Sequence, residues 1–279
     1  MAEKIKLNMY DIAITIVNYK MTEDIRQLLE SLKKDLYGSQ LKVQVVIIDN
    51  TPQDGCWLML KNNFPEVKYF PQDYNIGFGR AHNIGIKSVD AKYYFILNPD
   101  IQFPEGEKVL QRLFDFMETN PKIGLIAPKL LNSDNSLQYS CYRFPTSLIP
   151  LLRRSSLGTK SKYKKMVDSY LMKDFDHKKT QPVDWVMGSA MFARGRVLKE
   201  VGMFDDQFFM YFEDCDLCRR FWEAHWPVYY VYDIKIIHRH GKGSAKIPGF
   251  FKSIIKNPLT RVHIISWLKY CWKWRGQET

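Results

Sequence analysis

The sequence predicts an α/β fold in which a mainly parallel sheet is flanked by helices. Three observations carry this. Short, near-continuous apolar runs recur between residues 12 and 127, as in strands buried on both faces. Amphipathic stretches at helical spacing lie between them, and a strand–helix–strand alternation makes parallel pairing the natural connection. The runs stop at turn-forming clusters, Asp49-Asn50-Thr51-Pro52 and Asn98-Pro99-Asp100.

Taken in order, Ile12-Ala13-Ile14-Thr15-Ile16-Val17 is apolar and β-branched and reads as the first buried strand. Thr22 stands where it can cap a helix carrying Ile25, Leu28, Leu29, Leu32 and Leu36, which ends near Gly38. A second strand spans 43–48. A short helix at 57–63 and a strand at 67–70 follow. Asn75-Ile76-Gly77-Phe78-Gly79 is a turn opening a helix with Ala81, Ile84 and Ile86. A strand at 93–97, a helix at 108–118 and a strand at 123–127 complete the alternation. No internal repeat is present.

The stretch 153–179 holds many lysines and arginines and few large apolar residues. It reads as a solvated linker or mobile loop, or else as a flap that orders over an anionic substrate. From 183 the pattern is mixed: a strand, a short helix at 196–201, an aromatic run from Phe208 to Phe212, an acidic helix, and strands at 228–231 and 234–238. In the acidic helix Leu217, Phe221 and Ala224 share helical spacing, while Glu213, Asp214 and Asp216 crowd the first turn. Acids there complement the helix dipole. A carboxylate at an aromatic-walled site can equally serve as a general base.

The tail from Phe250 is basic and aromatic. Asn257-Pro258 suits a cap followed by proline at the first helical position. In the helix beyond it, Trp267, Trp272 and Trp274 and several aliphatics spread around the axis, interleaved with Arg261, Lys269, Lys273 and Arg275. That mixture suits a membrane interface, or a terminal helix docked on the domain.

Composition narrows the chemistry. The chain has 279 residues, 46% of them hydrophobic, enough for a sizeable core. The net charge of +11 favours phosphate, nucleotide or an anionic membrane surface as partner. The five cysteines (Cys56, Cys141, Cys215, Cys218 and Cys271) form no framework, which points to a reducing compartment. No signal pattern and no run of roughly 20 apolar residues is found, so a cytoplasmic or membrane-face location is expected. Nucleic acid is not expected as a partner, because charge alone suggests it and no recognition motif accompanies the charge.

Ligands of open parallel sheets bind beyond the carboxyl ends of the strands. Asp49 and Asp100 end predicted strands and fall on that rim. Such acids can accept base or ribose hydrogens or hold a divalent cation. Neither Gly-x-x-x-x-Gly-Lys nor Gly-x-Gly-x-x-Gly is present, so those loops do not handle phosphate here. His238-Arg239-His240-Gly241-Lys242-Gly243-Ser244 follows an apolar strand and suits metal or phosphate contact.

Six segments together carry a family likeness: Thr15-Ile16-Val17-Asn18-Tyr19, Ile48-Asp49-Asn50, Asn75-Ile76-Gly77-Phe78-Gly79, Leu97-Asn98-Pro99-Asp100, Trp185-Val186-Met187-Gly188 and Phe212-Glu213-Asp214. In order and spacing, over about 12–244, the chain resembles the inverting family 2 glycosyltransferases of the GT-A (Rossmann-like) fold. Within them it is most similar to bacterial rhamnosyltransferases that build O-antigen and related polysaccharides. The resemblance implies a GT-A domain over 1–245, with a nucleotide-sugar half at about 12–127 and an acceptor and catalytic half at 128–245. The tail, 246–279, is then a membrane-interface helix.

The same resemblance implies roles. Thr15, Val17, Tyr19, Asp49, Asn75, Gly77, Asn98 and Asp100 would bind the nucleotide-sugar. Asn98-Pro99-Asp100 stands where the family often has Asp-x-Asp, so Asp100 carries the metal role, with His238 completing a Mg2+ or Mn2+ site. Trp185, Gly188 and Glu213 would face the acceptor, and Asp214 would be the catalytic base. The implied reaction moves a sugar, L-rhamnose from dTDP-rhamnose, to a polyprenyl-diphosphate-linked saccharide on the inner face of the plasma membrane. Galactofuranose, glucose or N-acetylhexosamine donors, or a non-catalytic sugar-nucleotide-binding subunit, are the alternatives.

Overall fold

The computed structural model describes residues 9–154, 158, 160–239 and 257–276. Eleven strands are β1 (Tyr10–Asn18), β2 (Val43–Asp49), β3 (Lys68–Pro71), β4 (Ala91–Leu97), β5 (Ile101–Gln102), β6 (Leu125–Leu131), β7 (Cys141–Tyr142), β8 (Gln181–Pro182), β9 (Trp185–Val186), β10 (Ala190–Arg194) and β11 (Val228–His238). Nine helices accompany them among the described residues: α1 (Thr22–Asp35), α2 (Cys56–Asn63), α3 (Phe78–Ser88), α4 (Val109–Thr119), α5 (Ile149–Arg154), α6 (Ser161–Tyr170), α7 (Gly195–Glu200), α8 (Glu213–Glu223) and α9 (Pro258–Lys273).

The main sheet runs β3-β2-β1-β4-β10-β6-β11-β5, with β8 on β11. Strands β3, β2, β1 and β4 are parallel, in a register that sets Asn18 beside Asp49 and Ile16 beside Leu97. Strand β10 then lies antiparallel between β4 and β6, while β6 and β11 pair in parallel. The expected alternation accounts for the first four strands and for β6. It gives no sign that a strand from much later in the chain is inserted at the centre. The strands expected at 228–231 and 234–238 are one strand, bent where the register slips between Val231 and Lys235.

The period of two in each strand divides the apolar runs between two cores. Ile12, Ile14 and Ile16 join Leu28, Leu110 and Leu113 under α1 and α4. Ala13 and Val17 join Ala81, Ile86 and Leu217 under α3 and α8. Thr15 faces the second core, where Gly85 lets α3 approach. A Cβ at Gly85 would lie 2.8 Å from Thr15 Cγ2 and 2.9 Å from Ile48 Cδ1. The buried guanidinium of Arg194 closes the strand that β10 adds, donating to the carbonyls of Met117, Asn120 and Ile123 and to the Tyr93 hydroxyl. It thereby satisfies the carbonyls at and beyond the C-terminal end of α4.

Two stretches admitted two readings each. Within 153–179 the structure forms α6, and its Tyr170 is buried, stacked on Tyr142 with centroids 5.6 Å apart. Residues 161–170 are thus a helix with an aromatic anchor rather than irregular linker. In the tail, Asn257 caps α9 through the Leu259 N–H, as its position before Pro258 suggests. One face of α9 is docked on the domain, burying Thr260, Ser266 and Tyr270. Residues 240–256, with His240 and the Gly241-Lys242-Gly243-Ser244 run, lie outside the described residues. No helix among the described residues is long and apolar enough to cross a membrane.

Candidate active site

At the rim of β1 and β2, Asp49 is fully buried, and its carboxylate accepts from Asn18 Nδ2 (2.9 Å), the Thr51 N–H (2.8 Å) and the Tyr69 hydroxyl (2.7 Å). Burial still leaves its carboxyl above the ordinary range, the hydrogen bonds offsetting only part of that effect. Asn18 also donates to Asp54 at 2.9 Å, so one amide ties β1, β2 and the turn after β2 together. Asp49 therefore lies behind the rim, and an incoming base meets it only by displacing one of these donors. Thr15 and Val17, expected on the donor side, have their side chains in the core. Thr15 is fully buried on the His82 ring at 2.8 Å, and Val17 packs in the core under α3. Tyr19, 47% exposed, is the member of that segment that reaches solvent.

The Asn75–Gly79 turn is sewn to a distant loop. Asn50 Nδ2 donates to Asn75 Oδ1 (3.1 Å) and the Gly77 carbonyl (3.3 Å), and the Phe78 N–H donates to the Phe209 carbonyl at 2.9 Å. Gly77 has φ +92°, and a Cβ there would sit 2.3 Å from the Phe209 carbonyl oxygen. Only glycine tolerates both conditions. The sequence offered the turn but not its partner.

After β4, the Asn98 N–H donates to the Ser189 carbonyl at 3.0 Å. Asp100 Oδ1 lies 3.1 Å from His238 Nε2, joining the ends of β4 and β11. The tautomer of His238 follows from Gln138. The Gln138 Nε2 donates to Asn132 Oδ1 and to the His238 carbonyl, which leaves Oε1 to accept from His238 Nδ1–H at 2.6 Å. Nε2 then faces Asp100 and Asn98. The 3.1 Å between Nε2 and the carboxylate oxygen is about the distance that separates adjacent ligands of a small octahedral cation. Among the described residues no group of three or more His, Cys, Asp and Glu side chains gathers for a metal. At nucleotide sites Mg2+ is nonetheless usually held by one or two carboxylates completed by substrate phosphates and water, and Asp100 is such a carboxylate. The residues fit such an ion. Gln138, which orients the histidine, carries no motif signal in the sequence.

Asp214 opens α8. Its Oδ2 accepts from the Gly188 N–H at 2.9 Å and its Oδ1 from the Cys215 N–H at 2.8 Å. Gly188 is pressed between the Phe78 ring and Asp214, where an added Cβ would lie 3.2 Å and 3.5 Å from them. Glu213 beside it is buried against Gly79, and its Oε2 has no hydrogen-bond partner among the described residues. Burial, then the charge of Asp214, pushes the Glu213 carboxyl far up. Burial also raises Asp214, but two backbone N–H donors favour its ionised form. Of the two carboxyls, Glu213 is raised the further. Expected to face the acceptor, Glu213 is enclosed, 5% exposed. Trp185 is half-buried, 4.7 Å from Tyr142, with its indole N–H on the Arg143 carbonyl.

Before α8, Tyr211 and Phe212 take φ +70° and +67°. Left-handed conformations of such residues cost roughly 1–2 kcal/mol each, so neighbouring structure must impose them. The outcome is one rim: Ser189 bonds Asn98, two residues before Asp100, while the adjacent Gly188 bonds Asp214.

The model of the glycosyl transferase family 2 matches residues 11–176. The chain is 27% identical, over 84% of its length and 78% of the relative's, to the N-acetylglucosaminyl-diphospho-decaprenol L-rhamnosyltransferase of Mycobacterium tuberculosis. It is 26% identical to the rhamnosyltransferase WbbL of Escherichia coli, over 81% of this chain and 82% of that one. Among solved structures it is similar in fold to the mannosyltransferase PcManGT from Pyrobaculum calidifontis in complex with GDP-Man and Mn2+. That match has a TM-score of 0.56 at 14% identity, over 94% of this chain and 70% of that one.

The buried acid makes a pH-dependent prediction. A carboxyl raised by folding stabilises the protein fully below its unfolded value and loses that contribution as pH rises through its folded value. Glu213→Gln keeps the neutral shape and removes the cost of ionisation. The variant should unfold at a higher temperature than the parent at pH 8, with the difference vanishing near pH 4. Equal melting temperatures at both pH values would show that Glu213 is not held as the acid.

Proposed function

The chain belongs to glycosyl transferase family 2, and on that premise we propose that it is an inverting rhamnosyltransferase. It moves L-rhamnose from dTDP-rhamnose to a saccharide carried on a polyprenyl diphosphate. The observation that carries this reading is the shared rim: Gly188 and Ser189 bond Asp214 on one side and the Asn98 backbone on the other. The rhamnosyltransferase names of the relatives support the donor. The first of those names supports the lipid-linked acceptor.

In this reading Tyr19, Asn75 and Gly77 line the base and ribose side, with Asp49 behind them. Asn98 and Asp100 face the diphosphate, and Trp185 and Gly188 face the acceptor. Asp214 takes the proton of the acceptor hydroxyl as its oxygen bonds the anomeric carbon and the bond to the diphosphate oxygen breaks. One displacement inverts the anomeric centre, so a single ionised carboxylate is enough. Glu213, holding its own proton, leaves that charge on Asp214. Asp100 and His238 would hold a divalent cation, which when bound offsets the charge of the departing diphosphate.

The reading also places the protein peripherally on an anionic membrane surface, where a polyprenyl carrier resides. Its support is the outward face of α9, where Ile265 (52%), Leu268 (55%) and Trp272 (70%) are exposed, with Lys269 on the helix and Arg275 just beyond its end. An apolar face with flanking cations is complementary to anionic lipid.

Asp214→Asn should lower turnover by roughly 10²- to 10⁴-fold while leaving dTDP binding by calorimetry almost unchanged; full activity would remove Asp214 as the base. Nucleotide release across dTDP-rhamnose and the UDP-activated galactofuranose, glucose and N-acetylhexosamine sugars decides the donor, and the first should be used best. For the membrane, the full chain should co-sediment with phosphatidylglycerol vesicles at low salt, and the pair Leu268→Ser and Trp272→Ala should release it. No sedimentation of the parent chain would end that part of the proposal.

A further inference from the structure

We infer that α9 is part of the catalytic apparatus: Lys273 and Trp274 are positioning residues that set Asp214 by clamping the first turn of α8 to the loop before it. This rests on the reading of Asp214 as the base. Asp216 lies two positions after Asp214, in the same turn, and is fully buried. Its Oδ1 accepts from Lys273 Nζ at 2.8 Å and from the Trp274 indole N–H at 2.9 Å, and its Oδ2 from Arg220 Nε at 2.9 Å. The same Lys273 ammonium reaches Asp205 Oδ2 at 2.6 Å. Asp205 in turn accepts the Gln207 N–H at 3.0 Å through its other oxygen, which folds the loop before the aromatic run. One cation therefore bridges both ends of the segment that delivers Asp214.

The rest of α9 grips the strained middle of that segment. Ser266 Oγ donates to the Met210 carbonyl at 2.8 Å, and Lys269 Nζ to the Gln207 carbonyl at 2.7 Å. The His263 ring lies 5.0 Å from Tyr211 and 5.3 Å from Phe212, and the Tyr270 ring lies 5.4 Å from Phe212. Tyr211 and Phe212 are the two consecutive left-handed residues just before α8. Strain of that kind persists only where surroundings over-determine the backbone, and α9 supplies those surroundings. Gly188 fixes the Asp214 carboxylate from the sheet side. The tail fixes the backbone beneath it from the opposite end of the chain.

The contacts that α9 and Trp274 make here fall between 205 and 216, around the base, rather than over the donor half. Loosening the clamp should therefore change the chemical step and spare donor affinity. Full-length Lys273→Met, Lys273→Arg and Trp274→Phe are compared with the parent for kcat, KM for the nucleotide-sugar and melting temperature. A misplaced general base costs on the order of 10- to 100-fold in rate. Lys273→Met should lose about that much in kcat, with donor KM within about twofold, because only an interaction made in the transition state is lost. Lys273→Arg, which restores the bridge, should recover most of it. Trp274→Phe keeps an aromatic ring but loses the N–H together with the pyrrole half of the indole. It should lower kcat at unchanged melting temperature, and it carries the test if Lys273→Met fails to fold. Unchanged kcat in both variants, or a loss expressed in donor KM with no rescue by arginine, would overturn the clamp. Asp214→Asn is measured alongside. If that variant is active, the base assignment fails. If it is inactive while Lys273→Met and Trp274→Phe turn over normally, the clamp alone fails.

Discussion

Two adjacent backbone groups, the Gly188 N–H and the Ser189 carbonyl, tie together parts of the chain that are more than a hundred residues apart. They lie just before β10, the strand that runs antiparallel between β4 and β6. Because β10 pairs with β4 in a fixed register, the end of β4 and the start of α8 cannot shift independently. That constraint sets where Asp100 and Asp214 stand. A glycine suits this position, since a Cβ at 188 would lie 3.2 Å from the Phe78 ring, closer than ordinary contact.

Charge is allotted by burial around this frame. Two neighbouring acids in a low-dielectric site do not both ionise readily, and backbone donors decide between them. Asp214 has two such donors, which favour its ionised form, while Glu213 has no partner for Oε2 among the described residues and is raised further. At the other side, Gln138 decides which nitrogen of His238 faces Asp100, and so makes that pair suited to a cation.

The sequence made much of this legible. The strand ends are marked by polar clusters after apolar runs, and the acids on them fall where an open parallel sheet binds ligands. Asp49 and Asp100 were reached in this way, while the roles expected of Asp214, Gly77 and Gly188 came from the family resemblance. The runs did not show which side chains point inward, because a strand buried on both faces has no polar alternation to read. Thr15 and Val17 therefore looked available and are core residues. Long-range pairings were equally hidden: the insertion of β10, the contact of Gly77 with Phe209 and the orientation of His238 by Gln138 join residues with no local pattern in common. The tail was ambiguous for a related reason. In α9 apolar and basic residues surround the axis because one face packs on α8 and the other is exposed, so no single stripe appears.

The central claim is that strand-end and helix-start carboxylates serve one cation and one activated sugar. A crystal of the chain with dTDP and Mn2+, read by the anomalous signal of manganese, tests it most directly. The account predicts one manganese peak bonded to Asp100 and the diphosphate, beside His238, with the Asp214 carboxylate facing the same cleft beyond the terminal phosphate. A nucleotide bound on a surface that Asp214 does not face, or manganese held away from Asp100, would contradict it.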